Sequence, residues 1–239
     1  MEPKLLIVQN IVHEAPGILL DLLHDQGIAY DLIDLSNGEM IPPPLSYSGV
    51  VLLGGPQSAN DSSTQILHEL GRVQETLEAG IPCLGICLGL QLLVKARGGR
   101  VIPCPVRETG FHEPDGTPYT VHLTPEGRSD PLFRGLPEHL RVFQLHGETV
   151  VPAPGMTLLA TGRGCRMQVL KIGSTAWGLQ CHFEMTRPMF ETWTITDPSL
   201  MNMDREELLA EFDRIEEAYT GTGRTILRNF LDICGLVSR

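Results

Sequence analysis

Between Ile81 and Leu93 the chain reads Ile-Pro-Cys-Leu-Gly-Ile-Cys-Leu-Gly-Leu-Gln-Leu-Leu, an apolar strand-like run that passes into an apolar helix-like one with no polar loop between them. A strand that is apolar on both faces has to lie inside a sheet with helices covering each side. The first ninety residues repeat the alternation this requires. Leu5-Leu6-Ile7-Val8, Tyr30-Asp31-Leu32-Ile33 and Val50-Val51-Leu52-Leu53 read as strands, and Ile81 to Ile86 as a fourth. A helix over Ile18 to Leu23 ends at Gly27, and another runs from a Ser62 or Ser63 cap through Ile66, Leu70, Val73 and Leu77 to Gly80. Beyond Gly98-Gly99 the pattern breaks into short β-like pieces: Thr120 to Leu123, Arg141 to Leu145, Thr157 to Ala160, Arg166 to Ile172 and Ala176 to Cys181. From Pro188 onward it turns helical, with Leu208, Phe212, Ile215 and Tyr219 on one face behind an Asp204 and Glu207 capping pair. The expectation is an α/β fold with an open, mostly parallel mixed sheet flanked by helices.

Composition narrows the function. Eighteen basic against 29 acidic side chains leave a net charge of −11, and no Lys or Arg run forms a phosphate-binding stripe, so nucleic acid is not the expected partner. No apolar run reaches the roughly 20 residues that span a bilayer, and Met1-Glu2-Pro3-Lys4 does not resemble a secretory leader. The six cysteines lack Cys-x-x-Cys spacing, which fits a reducing cytoplasm. His112-Glu113 has no second histidine at zinc-protease spacing and Cys181-His182 has no finger-like partners, so neither a metal site nor a cofactor is expected.

The junction Gly85-Ile86-Cys87-Leu88-Gly89 has the Gly-x-nucleophile-x-Gly form of a nucleophile elbow, which would lift the Cys87 sulfur above the strand ends and aim a helix N-terminus at it. A thiol nucleophile needs a base and a group to orient that base. Trp177-Gly178-Leu179-Gln180-Cys181-His182-Phe183-Glu184 supplies both, because residues two apart in a strand share a face. Gly54-Gly55-Pro56, at the end of a neighbouring strand, can offer an N–H that completes an oxyanion hole with that of Leu88.

Taken together, Gly54-Gly55-Pro56, Gly85-x-Cys87-x-Gly89-x-Gln91 and Gly178-x-Gln180-x-His182-x-Glu184 resemble the class I (triad) glutamine amidotransferase domain over about residues 4 to 186, in particular stand-alone proteins related to the glutaminase domain of GMP synthase. The resemblance implies a flavodoxin-like catalytic domain over residues 1–186, with residues 187–239 as a helical extension packed on it. It also implies Cys87 as nucleophile forming a γ-glutamyl thioester, His182 as base and acid, and Glu184 as the orienting carboxylate. Gly55 and Leu88 would form the oxyanion hole, and Gly54, Gln91, His146 and Gly147 would contact substrate; from the residues alone, His146 reads equally well as a loop histidine. The family usually has His-Pro-Glu where this chain has His182-Phe183-Glu184, a loss of proline expected to loosen the backbone between base and orienter. The expected activity is hydrolysis of glutamine or another γ-glutamyl amide, with ammonia passed to a separate synthetase subunit. A γ-glutamyl peptidase acting alone and a catalytically idle regulatory module remain the alternatives.

Overall fold

The computed structural model describes residues 3–237. Its first half is β1 (Lys4–Gln9), α1 (Ile18–Gln26), β2 (Ala29–Asp34), β3 (Gly49–Leu52), α2 (Thr64–Glu78), β4 (Cys83–Ile86) and α3 (Leu88–Ala96). The second half adds β5 (Arg100–Gly110), β6 (Thr120–Leu123), α4 (Pro125–Ser129), β7 (His139–Arg141), β8 (Gln144–Val151), β9 (Met156–Thr161), β10 (Val169–Ile172) and β11 (Ala176–Leu179). Two helices, α5 (Arg187–Thr196) and α6 (Arg205–Ile233), follow.

Nine strands form one sheet in the order β2-β1-β3-β4-β11-β10-β9-β6-β7. It is parallel from β2 to β11 and antiparallel from β11 to β7. The parallel strands are apolar throughout because both faces are covered. Along β1, Leu5 and Ile7 face α1 and the end of α6, where Leu19, Leu23, Leu227 and Phe230 pack, while Leu6 and Val8 face Ile66 and Val73 of α2 and Leu90 and Leu93 of α3. The expected end signals hold: Gly27 caps α1 in the left-handed conformation, Ser63 Oγ accepts the Ile66 N–H at 3.3 Å, and Asp204 caps α6 by accepting from Glu207.

Two elements differ from the sequence reading. The run Arg141 to Leu145 is not one strand: β7 ends at Arg141 in the large sheet, and β8 starts at Gln144 in a separate two-stranded ribbon with β5. The chain crosses between sheets at Val142 and Phe143. Strand β5 carries no apolar alternation and holds Pro103 and Pro105, which have no N–H for a ladder; its register with β8 slips between Pro103 and Glu108. No helix among the described residues is long and apolar enough to cross a membrane.

One buried acid sits beneath the sheet's carboxyl edge. Glu69 of α2 is fully buried and accepts one hydrogen bond, from Asn10 Nδ2 at 3.3 Å. Burial pushes its carboxyl up to about 7, against the opposing Asn10 bond. The sign follows from linkage: below the ordinary value of 4.5 the group is neutral in both states and no desolvation is lost, whereas above about 7 the folded protein carries a buried charge. Glu69→Gln should therefore gain stability over the native protein as pH rises from about 5 to about 8, by up to about 3 kcal/mol in urea unfolding. A difference that does not vary with pH would contradict the assignment.

Candidate active site

Parallel strands end on one side of the sheet, so the segments after β1, β3, β4 and β11 converge there, where open α/β sheets bind ligands. Cys87 occupies the junction between β4 and α3, with its N–H donated to the Leu179 carbonyl at 2.7 Å. Its backbone, at φ 51° and ψ −102°, is the one non-glycine position with positive φ among the described residues. The flanking glycines explain how the turn closes. A Cβ on Gly85 would lie 2.4 Å from the Gly89 carbonyl carbon, and one on Gly89 would lie 2.4 Å from the Leu52 oxygen. Leu88 opens α3, so its N–H has no acceptor within the helix.

His182 and Glu184 follow β11. The His182 N–H bridges to the Phe143 carbonyl at 3.0 Å, and its Nδ1 stands 2.7 Å from Glu184 Oε1. Both side chains are almost fully buried, and β11, which leads to them, pairs directly with β4, which leads to Cys87. Burial opposes protonation of His182, yet the Glu184 carboxylate and the Cys87 sulfur together hold it well above the usual histidine range. The structure thus brings the three residues into the order thiol, imidazole, carboxylate, an arrangement able to take a proton from sulfur and return it to a leaving amine.

Where the missing proline was expected to loosen the backbone, Phe183 supplies a substitute. Its N–H, which a proline would not have, donates to Glu184 Oε2 at 3.0 Å, and its ring is buried in the core. Helices α5 and α6 hold the other side of His182: Trp193 packs edge-on against its ring at 5.0 Å between centroids, and Tyr219 Oη donates to its carbonyl at 2.8 Å. Phe111, Phe143, Phe190 and Phe212 complete this aromatic wall.

A cavity of about 610 Å³ opens above Cys87, lined by Gly55, Leu88, Gln91, His146 and Gly147 among the expected residues. Gly54 lies against Glu14 and His182, since a Cβ there would meet Glu14 Oε2 at 2.1 Å and the His182 ring at 3.3 Å. Sequence reasoning passed over four contributors. Glu14, in the segment after β1, lines the cavity; burial pushes its carboxyl up to about 7, His182 opposes this, and Glu184 and Asp197 add to it. Asp197 and Arg107 also line the cavity, and Gln180 Nε2 lies 3.7 Å from the Cys87 sulfur. Glu14 and Asp197 occupy loops without periodicity, so no pattern in the sequence marks them. Gln180 alone carried a signal, as a position in the motif that ends at Glu184.

Both ring nitrogens of His146 are occupied, Nε2 by Glu108 Oε2 at 3.0 Å and Nδ1 by the Glu148 carbonyl at 3.0 Å. Its Nδ1 also faces Cys104 Sγ at 3.5 Å, and with Cys165 these donor atoms lie within 4.8 Å of one another. Spacing along the chain hid this cluster, because its members come from three separate segments.

A sequence profile for the family described as "Glutamine amidotransferase class-I" matches residues 22–195. The chain is 29% identical to the glutamine amidotransferase-like protein YfeJ of Salmonella typhimurium over 75% of this chain and 76% of that protein. It is 30% identical to the GMP synthase [glutamine-hydrolyzing] of Porphyromonas gingivalis over 82% of this chain, which spans only 30% of that longer protein. Against a γ-glutamyl-L-1-hydroxyisopropylamide hydrolase of a Pseudomonas species, identity is 29% over 62% of this chain and 51% of the hydrolase. The crystal structure of a glutamine amidotransferase from Thermotoga maritima superposes with a TM-score of 0.86 over 97% of this chain and 99% of its own, at 28% identity.

The geometry yields a direct test of the imidazole and its carboxylate. Glu184→Gln removes the charge that favours imidazolium while keeping the side chain's shape. The titration of His182 followed by nitrogen NMR should move to lower pH, and alkylation of Cys87 at neutral pH should slow at least about tenfold. An unchanged histidine titration would show that Glu184 does not govern it.

Proposed function

The chain belongs to the class I glutamine amidotransferases, and from that premise we propose that it cleaves a γ-glutamyl amide through a cysteine triad of Cys87, His182 and Glu184. The single observation that supports this most is Cys87 on the strained elbow after β4, with a histidine paired at 2.7 Å with a buried carboxylate just after the adjacent strand β11. In this reading the Cys87 thiolate attacks the γ-carbonyl carbon, and the resulting oxyanion is met by the N–H groups of Gly55 and Leu88. His182, protonated by the thiol, gives that proton to the departing amine or ammonia. Water, deprotonated by the same imidazole, then hydrolyses the γ-glutamyl thioester and releases a γ-carboxylate. Glu184 keeps the ring oriented throughout.

Gly54, Gln91, His146 and Gly147 are assigned to the substrate pocket, with His146 serving through its position because its ring nitrogens are taken. Arg107 and the carboxylates Glu14, Glu148 and Asp197 line the same cavity, a charge pattern suited to the carboxylate and ammonium of an amino-acid substrate. We assign catalysis to residues 1–186 and a supporting role to residues 187–239, whose Trp193 and Tyr219 brace His182. A cytoplasmic setting, and a separate synthetase subunit that consumes the ammonia, complete the reading.

A second reading, a γ-glutamyl hydrolase acting alone, draws on two observations. The cavity of about 610 Å³ has room for a leaving group beyond ammonia, and a hydrolase of a γ-glutamyl amide is among the relatives. The two readings separate in one assay of the purified protein, comparing glutamine with γ-glutamyl dipeptides and using Cys87→Ala as the blank. The amidotransferase reading expects slow glutamine hydrolysis, with dipeptide turnover within about a hundredfold of it. A larger excess for dipeptides, beyond about 2.7 kcal/mol of transition-state preference, would favour the hydrolase acting alone. Turnover that persists in Cys87→Ala would overturn both.

A further inference from the structure

Behind the cavity wall the ribbon of β5 and β8 meets the turn between β9 and β10. The register slip in β5 leaves Cys104 in a bulge facing β8, where His146 lies, and the turn that closes with the Gly162 N–H on the Cys165 carbonyl brings Cys165 beside them. Cys104 is half-buried, whereas His146 and Cys165 are buried. The 3.5 Å between Cys104 Sγ and His146 Nδ1 is the separation of two ligands on one tetrahedral cation with metal–sulfur and metal–nitrogen bonds of about 2.3 and about 2.0 Å.

We propose that Cys104, His146 and Cys165 form a binding site for a thiophilic divalent cation of the zinc class, with Glu108 as the carboxylate that orients the histidine. The surroundings of the donors fit this chemistry. Glu108 is almost fully buried and holds three partners: His146 Nε2 at 3.0 Å, the Cys165 N–H at 2.8 Å and Gln168 Nε2 at 2.9 Å. A carboxylate that accepts the Nε2 proton fixes the tautomer in which Nδ1, once its own proton has left, turns a lone pair toward the two sulfurs, as a metal requires. Nδ1 stands 3.0 Å from the Glu148 carbonyl, which can only accept, so it holds a proton there that a cation must displace. Thr149 Oγ1 lies 3.1 Å from the Cys165 sulfur and can donate to its thiolate. Binding is an exchange without redox change: the cation enters, and the protons still held by the two thiols and by Nδ1 leave. Three protein ligands leave a fourth position for solvent, and the half-buried Cys104 gives the path of entry. A bound cation would tie the β5 bulge and the β9–β10 turn to the strand that carries His146 into the cavity wall.

The test uses the full-length chain, freed of metal by a chelator, kept reduced, and titrated with Co²⁺ as a spectroscopic probe and then Zn²⁺ as competitor. One Co²⁺ per chain should bind with the visible bands of tetrahedral geometry and a near-ultraviolet thiolate-to-cobalt band, and Zn²⁺ should abolish both. Cys104→Ser and Cys165→Ser should each weaken binding at least about a hundredfold, and Glu108→Gln by about ten- to a hundredfold. Cys87→Ala should bind like the native protein, which separates this site from the catalytic thiol. Absence of the thiolate band in folded native protein would overturn the proposal. So would a band that survives in Cys104→Ser combined with Cys165→Ser, or one that disappears in Cys87→Ala. None of these readouts depends on whether the chain hydrolyses glutamine.

Discussion

The site depends on one strained residue. At φ 51° and ψ −102° the Cys87 backbone is held where a side chain costs roughly 1–3 kcal/mol, and the surroundings over-determine that conformation. Its N–H is fixed to β11 at 2.7 Å, β4 is paired on both edges, and α3 starts at the next residue. The contacts of Gly85 with Gly89 and of Gly89 with Leu52 leave no volume for side chains, so helix and strands approach at backbone distance. Relaxing the strain would require moving the centre of the sheet. The sulfur is thereby held at the mouth of the cavity, close to the first N–H groups of α3.

The histidine is positioned differently, by enclosure. The segment after β11 leaves the sheet at Gln180, and the Phe143 carbonyl, the Trp193 ring and the Tyr219 hydroxyl confine His182 from three directions. Two of those three groups belong to α5 and α6, which makes the C-terminal helices part of the surroundings of His182. The close approach is possible because Gly223 lies against the Phe183 carbonyl, where a Cβ would come within 2.0 Å. Phe183 in turn secures Glu184 through its N–H and anchors the turn in the core through its ring. In this chain the aromatic residue carries out by hydrogen bonding and packing what a proline would do by restricting the backbone.

How much of this was legible in the sequence varied with the physics behind each element. Buried parallel strands need apolar residues on both faces, so β1, β3 and β4 were plain as unbroken runs, and the glycines around Cys87 marked the elbow. Strand β5 was not legible, because its pairing is interrupted at Pro103 and its burial runs against polarity, with Val106 exposed and Glu108 buried. The boundary between β7 and β8 was hidden since Val142 and Phe143 are as apolar as the strands they separate; both are buried, although the chain changes sheets there. Cys87, His182 and Glu184 stood out through spacing within motifs. Glu14, Asp197 and the Cys104, His146 and Cys165 cluster become neighbours only when strand order and register are known.

The central claim is that the Cys87 sulfur carries the acyl group during turnover. The most direct measurement is rapid acid quenching of the protein with saturating glutamine or γ-glutamyl dipeptide, followed by mass spectrometry of its proteolytic peptides. The account predicts a glutamyl group in thioester linkage on the peptide containing Cys87, labile to hydroxylamine and absent from Cys87→Ala. A glutamyl group found instead on Cys104 or Cys165, or steady hydrolysis by a protein whose Cys87 is permanently blocked, would contradict it.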